Sequence, residues 1–155
     1  MRSQWSHVND IGPTVLEATG LRMPDTINGI PQLPMDGVSL LYATDDADAA
    51  ERHTTQYFEM FGNRAIYHEG WLARVVHGIP WHPTPIRTLQ EDIWELYDTT
   101  VDFSLTNDLA AENPEKLAEL QAIFNREALA NNVYPLDDRR YERFDPAQAG
   151  RSDLM

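Results

Sequence analysis

The feature that most constrains the fold is the stretch of residues 54–76, in which three short alternating apolar segments are separated by two turns. Gly62-Asn63 and Glu69-Gly70 stand between the segments, and they include the residue types that accept the positive φ of two-residue hairpin turns. A fourth segment of similar character follows later in the chain. The pattern predicts strands at residues 56–61, 64–68, 71–76 and 93–98. These strands predict a small antiparallel sheet with one buried face.

Helices are predicted on both sides of this sheet. A short helix is capped by Asn9 or Asp10 and ends at Gly20, and an extended connector rich in proline and glycine follows it. The clearer helix opens at Asn113-Pro114 and carries Leu117, Leu120 and Phe124 on one face. Because this apolar stripe needs a partner, the sheet face is the expected one. The predicted fold class is α+β, with about four strands and a C-terminal helix packed on them.

The charge balance restricts the partners. The chain has 25 acidic and 12 basic side chains and a formal net charge of −13. A surface this acidic repels nucleic acid and anionic membrane surfaces, so neither is expected as a partner. There is no apolar run near the ~20 residues that cross a bilayer, and no cysteine is available for a disulfide or a thiolate metal site.

Two groups of residues carry side chains that can bind metal ions. Asp45, Asp46 and Asp48 offer hard oxygen ligands, but the glycine and glutamate of a calcium loop do not follow, so a solvated acidic loop is the preferred interpretation. His77 and His82, with His68 on a strand, could hold zinc. Further ligands at suitable spacing are missing, and exposed or hydrogen-bonded histidines are the preferred interpretation.

Two further patterns could carry chemistry, namely a pair of carboxylates and a set of aromatic side chains on the strands. Glu59 and Glu69 beside neighbouring strands could form the carboxylate pair of a glycosidase, although any acidic hairpin offers such a pair. The sequence contains no G-x-S-x-G elbow and no glycine-rich phosphate loop. The aromatic side chains of the strands could form a sugar platform, but they are more typical of cross-strand pairs and core.

Three stretches together resemble the C-terminal part of bacterial-type arylsulfatases: residues 7–20, 56–71 and 94–109, the last followed by the helix from Asn113. The resemblance extends to about Arg143. It implies that the first helix closes a large α/β domain and that the hairpins belong to a smaller subdomain of four antiparallel strands with a long helix. It also implies a parent that hydrolyses sulfate esters with a formylglycine, made from Cys or Ser in C/S-x-P-x-R, and with calcium.

The chain departs from that family at the reactive centre. C/S-x-P-x-R does not occur, and in the only similar frame Pro83 stands where the nucleophile would be, before Pro85 and Arg87. Leu72 also replaces the basic residue that many relatives carry. We therefore expect no catalytic residue and no metal ligand in this chain, and a start upstream of Met1. Calcium and formylglycine are expected only in the full-length parent.

The resemblance defines the expected organisation. Residues 1–44 are assigned to the end of the large sulfatase domain, 45–136 to the sheet-and-helix subdomain, and 137–155 to a linker or tail. Since the subdomain flanks the pocket of the family, His53, Arg64 and His68 are the candidates for the rim that meets a sulfated substrate.

The preferred hypothesis is a catalytically incompetent C-terminal fragment of an arylsulfatase, with the missing N-terminal sulfatase domain as its partner. The alternative is a non-catalytic interaction module whose sheet packs on a partner domain. That alternative predicts an exposed apolar patch around Ile11, Val15 and the sheet edge. A free-standing hydrolase that uses Glu59 and Glu69 is a weaker rival.

Overall fold

A computed structural model describes residues 2–79, 81–82 and 84–139. The chain divides into two compact units, one within Met1–Gln56 and the other within Tyr57–Met155. The three domains predicted from the resemblance stay a prediction, and most of the predicted tail, from residue 140 onward, lies outside the described residues. Among the described residues, no helix is long and apolar enough to cross a membrane.

The first unit contains the predicted N-terminal helix. A 3₁₀ turn at Val8–Asp10 leads into α1, Ile11–Thr19, which ends at Gly20 with φ of 68°. A left-handed glycine at this position satisfies the last carbonyl groups of the helix, here by donating its N–H to Glu17. A second helix, α2, occupies Tyr42–Asp45.

The connector of the first unit holds a hairpin that the sequence analysis did not predict. Strands β1, Thr26–Ile27, and β2, Ile30–Pro31, pair antiparallel. Asn28 and Gly29 join them with φ of 52° and 81°, the signs that a type I′ turn needs. The Asn-Gly dipeptide is typical of this turn, but the prolines around it favoured an irregular connector instead.

The second part of the fold is the predicted sheet. Its strands are β3, Thr55–Met60; β4, Asn63–His68; β5, Trp71–Val75; and β6, Trp94–Asp98. They lie in the order β3-β4-β5-β6, and β4–β5 and β5–β6 pair antiparallel in register. The prediction of a four-stranded antiparallel sheet is confirmed.

The first tight turn lies one residue earlier than predicted. Phe61 and Gly62 occupy it with φ of 54° and 83°, whereas Asn63 is already the first residue of β4. The side chain of Asn63 accepts hydrogen bonds from the backbone N–H groups of His77 and Gly78 at 3.0 and 3.1 Å. Asn63 is therefore used to hold a neighbouring loop. The second turn is the predicted one, with Glu69 and Gly70 at 47° and 84°.

Helix α3, Pro114–Ala130, packs on one face of this sheet and completes the core. Strand alternation and register place Ile66, Ala73 and Leu96 side by side on that face, and all three are fully buried. The helix contributes the remaining members of the cluster, which are Leu120, Ile123, Phe124 and Ala128. The predicted α+β class, with a helix across the sheet, is confirmed.

Candidate functional site

The three candidate rim residues occupy different places. His53 lies in the first unit, whereas Arg64 and His68 lie on β4 in the second unit. Arg64 and His68 share one face of the strand because they are four residues apart, and Ile66 of the core stands between them. Four residues of strand separate them by about 13 Å. Within the second unit, the fold therefore does not bring Arg64 and His68 together, and the rim assignment stays a prediction.

Arg64 is part of a buried ionic cluster at the β4 start. Its Nη1 donates to Oδ2 of Asp92 at 2.7 Å and to the backbone oxygen of Gly62 at 2.9 Å. The side chains of Arg64 and Asp92 are 8% and 1% exposed. The guanidinium also lies over the ring of Trp94, with 5.4 Å to the ring centre. The charge is thus neutralised inside the protein, which a buried guanidinium requires.

His77 extends the same cluster. The imidazole is fully buried, with Nδ1 lying 2.8 Å from Oδ1 of Asp92 and Nε2 lying 3.2 Å from Oδ2 of Asp138. Its ring packs against Gly62, where an added Cβ would lie 2.5 Å from His77 Cδ2. The cluster thus joins the start of β4, the loop after β5, the loop that leads into β6 and the segment after α3. We call Arg64, His77, Asp92 and Asp138 the charged cluster.

The charged cluster was not predicted from the sequence. His77 was expected to be exposed or hydrogen-bonded, and it is hydrogen-bonded and buried. Its partners lie 15 and 61 positions away along the chain, so no local spacing connects them. Asp138 also lines a shallow surface pocket whose other walls are residues 84–91.

His53 is held by a buried carboxylate in the first unit. Its Nδ1 lies 2.7 Å from Oδ1 of Asp10, and Asp10 also accepts the backbone N–H groups of His7 and Val38 at 2.8 and 2.7 Å. Trp5 packs edge-on against the His53 ring at 4.9 Å. Asp10 thus ties three separate parts of the unit together: its own turn, the connector at Val38 and the segment at His53.

These contacts also set the ionisation of Asp10. Burial alone would raise the pKa of its carboxyl, but the hydrogen bonds from His7, Val38 and His53 outweigh burial and lower the pKa. Asp10 is therefore stabilised as a carboxylate, and the Nδ1–H tautomer of His53 suits it as a donor.

His68 differs from the other two candidates in its exposure. Its side chain is 21% exposed, while that of Arg64 is 8% exposed. His68 lies opposite Trp71 in the β4–β5 register, and its Nε2 lies 4.0 Å from a carboxylate oxygen of Glu69. It stands beside the second turn, at the end of β4 away from the charged cluster.

The carboxylate pair proposed for a glycosidase is not formed. Glu59 accepts the N–H of Gly62 at the turn before β4, whereas Glu69 belongs to the turn after β4. The six residues of β4 separate these turns by about 20 Å, beyond the roughly 5–9.5 Å of glycosidase carboxylates. The geometry does not support the hydrolase that uses Glu59 and Glu69.

A second ionic group lies on the opposite face of the sheet. Arg74 donates to Glu95 at 2.6 Å and to the Tyr97 hydroxyl at 3.2 Å, and Tyr97 donates to Glu95 at 2.8 Å. Burial, followed by the hydrogen bond to Glu95, raises the pKa of Tyr97. Burial would lower the pKa of Arg74, but the hydrogen bond and charge of Glu95 outweigh it and raise that pKa. Arg74 and Glu95 are direct partners in the β5–β6 register.

The described residues do not form a metal site. Within residues 2–79, 81–82 and 84–139, no three His, Asp or Glu side chains converge so that they could hold an ion. Asp46 instead accepts the backbone N–H of Asp48 at 2.9 Å, as in an ordinary acidic loop. Calcium therefore does not fit the residues described here.

No protein-family model matches the chain. Solved structures do match its fold. The structure of BT4656 in complex with D-glucosamine-2-N,6-O-disulfate aligns with a TM-score of 0.54 and 17% identity, over 84% of this chain and 25% of that one. BT33336S-sulf, from work on glycosaminoglycan metabolism by Bacteroides thetaiotaomicron, aligns with a TM-score of 0.50 and 18% identity, over 76% and 24%.

The crystal structure of Ps i-CgsB aligns with a TM-score of 0.55 and 16% identity, over 94% of this chain and 29% of that one. The chain thus spans about a quarter of the length of the solved structures it matches. These neighbours are sulfatases, and at such low identity the likeness concerns the fold alone. The chain has the fold of one part of solved sulfatase structures.

Proposed function

We propose that the chain is the C-terminal supporting lobe of an arylsulfatase-type sulfuric-ester hydrolase. One observation carries this proposal: the chain aligns over 84% and 94% of its length with sulfatase structures of which it spans only 25% and 29%. The resemblance of residues 7–20, 56–71 and 94–109 to arylsulfatases supports the narrower assignment. The partner is the remaining sulfatase polypeptide, and the substrate is a sulfate ester.

The reactive groups are assigned to that remaining polypeptide. The resemblance implies that a formylglycine and a calcium ion, both held by that polypeptide, would supply the reactive chemistry. The chain has no C/S-x-P-x-R motif, and its described residues do not fit a calcium site. We therefore assign no bond-forming or bond-breaking step to the residues of this chain.

What remains for this lobe is to shape the rim of the pocket. His68, whose side chain is 21% exposed, can offer a hydrogen bond to a sulfate or hydroxyl oxygen. His53 already uses its Nδ1–H on Asp10, and Arg64 is engaged with Asp92 and Gly62. We assign Arg64 a positioning role at the β4 start. Five basic side chains of the described part pair with acidic partners, namely Arg64, Arg74, Lys116, Arg126 and Arg139. These five cations are therefore already partly neutralised within the lobe.

Two measurements test the proposal. The purified chain is incubated with an aryl sulfate and, separately, with glucosamine-2-N,6-O-disulfate, each with and without calcium, and product release is followed. We expect no turnover in any arm, and sustained calcium-dependent hydrolysis would contradict the proposal. The genomic frame upstream of Met1 is then read, and an open frame that contains C/S-x-P-x-R is expected. A stop codon directly upstream of Met1 would contradict the fragment assignment.

A non-catalytic interaction module is the second candidate, and α1 favours it. Although α1 is a regular helix, none of its residues is buried. Val8, Ile11 and Val15 follow one another on one helical face, and they are 70%, 58% and 55% exposed. An apolar helix face without a cover is typical of a surface that meets another domain. Hydrolysis by the full-length parent that persists when this lobe is deleted would favour the module over the supporting lobe.

A further inference from the structure

The charged cluster joins a fully buried imidazole to two carboxylates, one buried and one at the surface. Nδ1 of His77 faces Asp92, which is 1% exposed and also bound by Arg64. Nε2 faces Asp138, whose side chain is 35% exposed and belongs to the segment that follows α3. The backbone atoms near the ring are occupied separately, because Asn63 accepts the His77 N–H and Glu59 accepts the Gly62 N–H.

Both ring contacts are hydrogen bonds only when both nitrogens carry a proton. Ionised carboxylates can only accept, whereas a neutral imidazole has one donor and one lone pair. The doubly protonated ring also balances the charges, since Arg64 and His77 then oppose Asp92 and Asp138. A neutral ring has to leave one of the two carboxylates facing a lone pair.

Losing the hydrogen bond from the imidazole costs more at one carboxylate than at the other. Asp92 is buried, so a lone pair on Nδ1 would leave its Oδ1 without a donor where water cannot replace it. Asp138 is partly in water, and its contact is the longer one at 3.2 Å. The single proton of a neutral ring therefore stays on Nδ1, and the Nε2 lone pair repels Asp138.

We propose that the His77–Asp138 contact is a pH-sensitive clasp that holds the segment after α3 against the sheet. The clasp is closed while the imidazole carries both protons and opens as the pH rises through the loss of one proton. The inference does not depend on the proposed sulfatase assignment.

Only the end of the segment is expected to loosen. Val133 donates its N–H to the Ala128 oxygen at 2.9 Å, and the Tyr134 hydroxyl donates to Asn125. Tyr134 also packs edge-on against Phe124 of the core at 6.4 Å. These contacts do not involve the His77 ring, so the clasp governs residues 136–139. The charged side chains near Asp138 are those of Asp137 and Arg139 beside it in the chain and Arg87 and Glu91 across the shallow pocket.

The test follows the amides of residues 136–139 and the ring protons of His77 by NMR, on the full chain between pH 5 and 9. We expect the Asp138 amide signal to move with the same midpoint as the His77 ring. After correction for intrinsic exchange, amide protection should fall about tenfold across that midpoint, as expected for losing a charge-assisted hydrogen bond.

Three variants make the experiment decisive. Asp138→Asn keeps a side chain that can donate or accept, so its segment should stay protected on both sides of the midpoint. In Asp138→Ala the amides of residues 136–139 should lack protection at every pH between 5 and 9. Glu91→Gln changes a residue of the same pocket and should behave as the wild type. The inference is overturned if wild-type amides keep equal protection at pH 5.5 and 8.5, or if Asp138→Ala retains the wild-type step.

Discussion

The sharpest stability prediction compares two glycines at the two ends of β4. Gly62 and Gly70 are the last residues of the two tight turns and have nearly identical φ values, 83° and 84°. Alanine at either position must adopt a left-handed backbone, which costs about 1–2 kcal/mol. The two positions differ in what the new methyl group would meet. A Cβ at Gly62 would lie 2.5 and 2.8 Å from two ring atoms of His77, and one at Gly70 would lie 2.7 Å from Thr100 Cγ2.

The loss of stability depends on whether the side chain that meets the new methyl group can move away. Thr100 is exposed and can turn away, whereas His77 is fully buried and fixed by Asp92 and Asp138. Gly70→Ala should therefore cost little beyond the backbone term. Gly62→Ala should cost a further 1–3 kcal/mol or so, the usual price of overpacking a well-packed site. The difference between the two variants isolates the packing of the charged cluster.

Urea unfolding, followed by circular dichroism and tryptophan fluorescence, measures both variants. With a slope of about 2 kcal/mol per M, an extra 2 kcal/mol lowers the midpoint of Gly62→Ala by about 1 M relative to that of Gly70→Ala. Equal midpoints for the two variants would refute the rigid packing of His77 against the turn. A larger loss in Gly70→Ala would refute the whole ordering.

Three further predictions concern the remaining contacts. Asp10→Asn should destabilise the first unit by about 2–3 kcal/mol in thermal unfolding above pH 5. Because the folded pKa of Asp10 is lowered, this stabilisation is present above the unfolded pKa near 4 and fades as pH falls through the folded value, so a loss that does not shrink as the pH is lowered below 4 would contradict it. Leu120→Ala in the core should cost about 2–5 kcal/mol, whereas the matched Leu129→Ala, 70% exposed on the same helix, should change stability by less than about 0.5 kcal/mol. A double-mutant cycle on Arg74 and Glu95 should give a coupling of about 0.5–1 kcal/mol, reduced by salt, and zero coupling would show that the pair is only a packing contact.

The sheet and α3 could be predicted because their signals are local. Alternation with a period of two, glycine at the turns, and the Asn113-Pro114 start of a helix are all read within a few residues. The first turn was misplaced by one residue because propensity favoured Asn63 over Phe61 for a positive φ. The structure instead uses the Asn63 amide to fix the loop after β5. A tertiary contact thus overrode the local preference.

The charged cluster could not be predicted, for the opposite reason. Arg64 and Asp92 are 28 positions apart, and His77 and Asp138 are 61 positions apart. Only the folded register of β4, β5 and β6 places their flanking residues at one end of the sheet. The Arg74–Glu95 pair is easier to predict from the sequence, because an antiparallel alignment of β5 with β6 puts those two residues opposite each other.

The three candidate rim residues differ in the contacts that each would lose on turning toward a substrate. Releasing Arg64 would leave Asp92 without one of its two ionic partners in a buried site, at a cost of roughly 3–5 kcal/mol. Turning His53 outward would break the hydrogen bond to Asp10, which is itself fully buried. His68 is the most exposed of the three, with 21% of its side chain accessible against 6% for His53 and 8% for Arg64. If this lobe touches a sulfated substrate directly, His68 is the candidate that already lies partly at the surface, whereas the other two would first have to give up buried charge-assisted contacts.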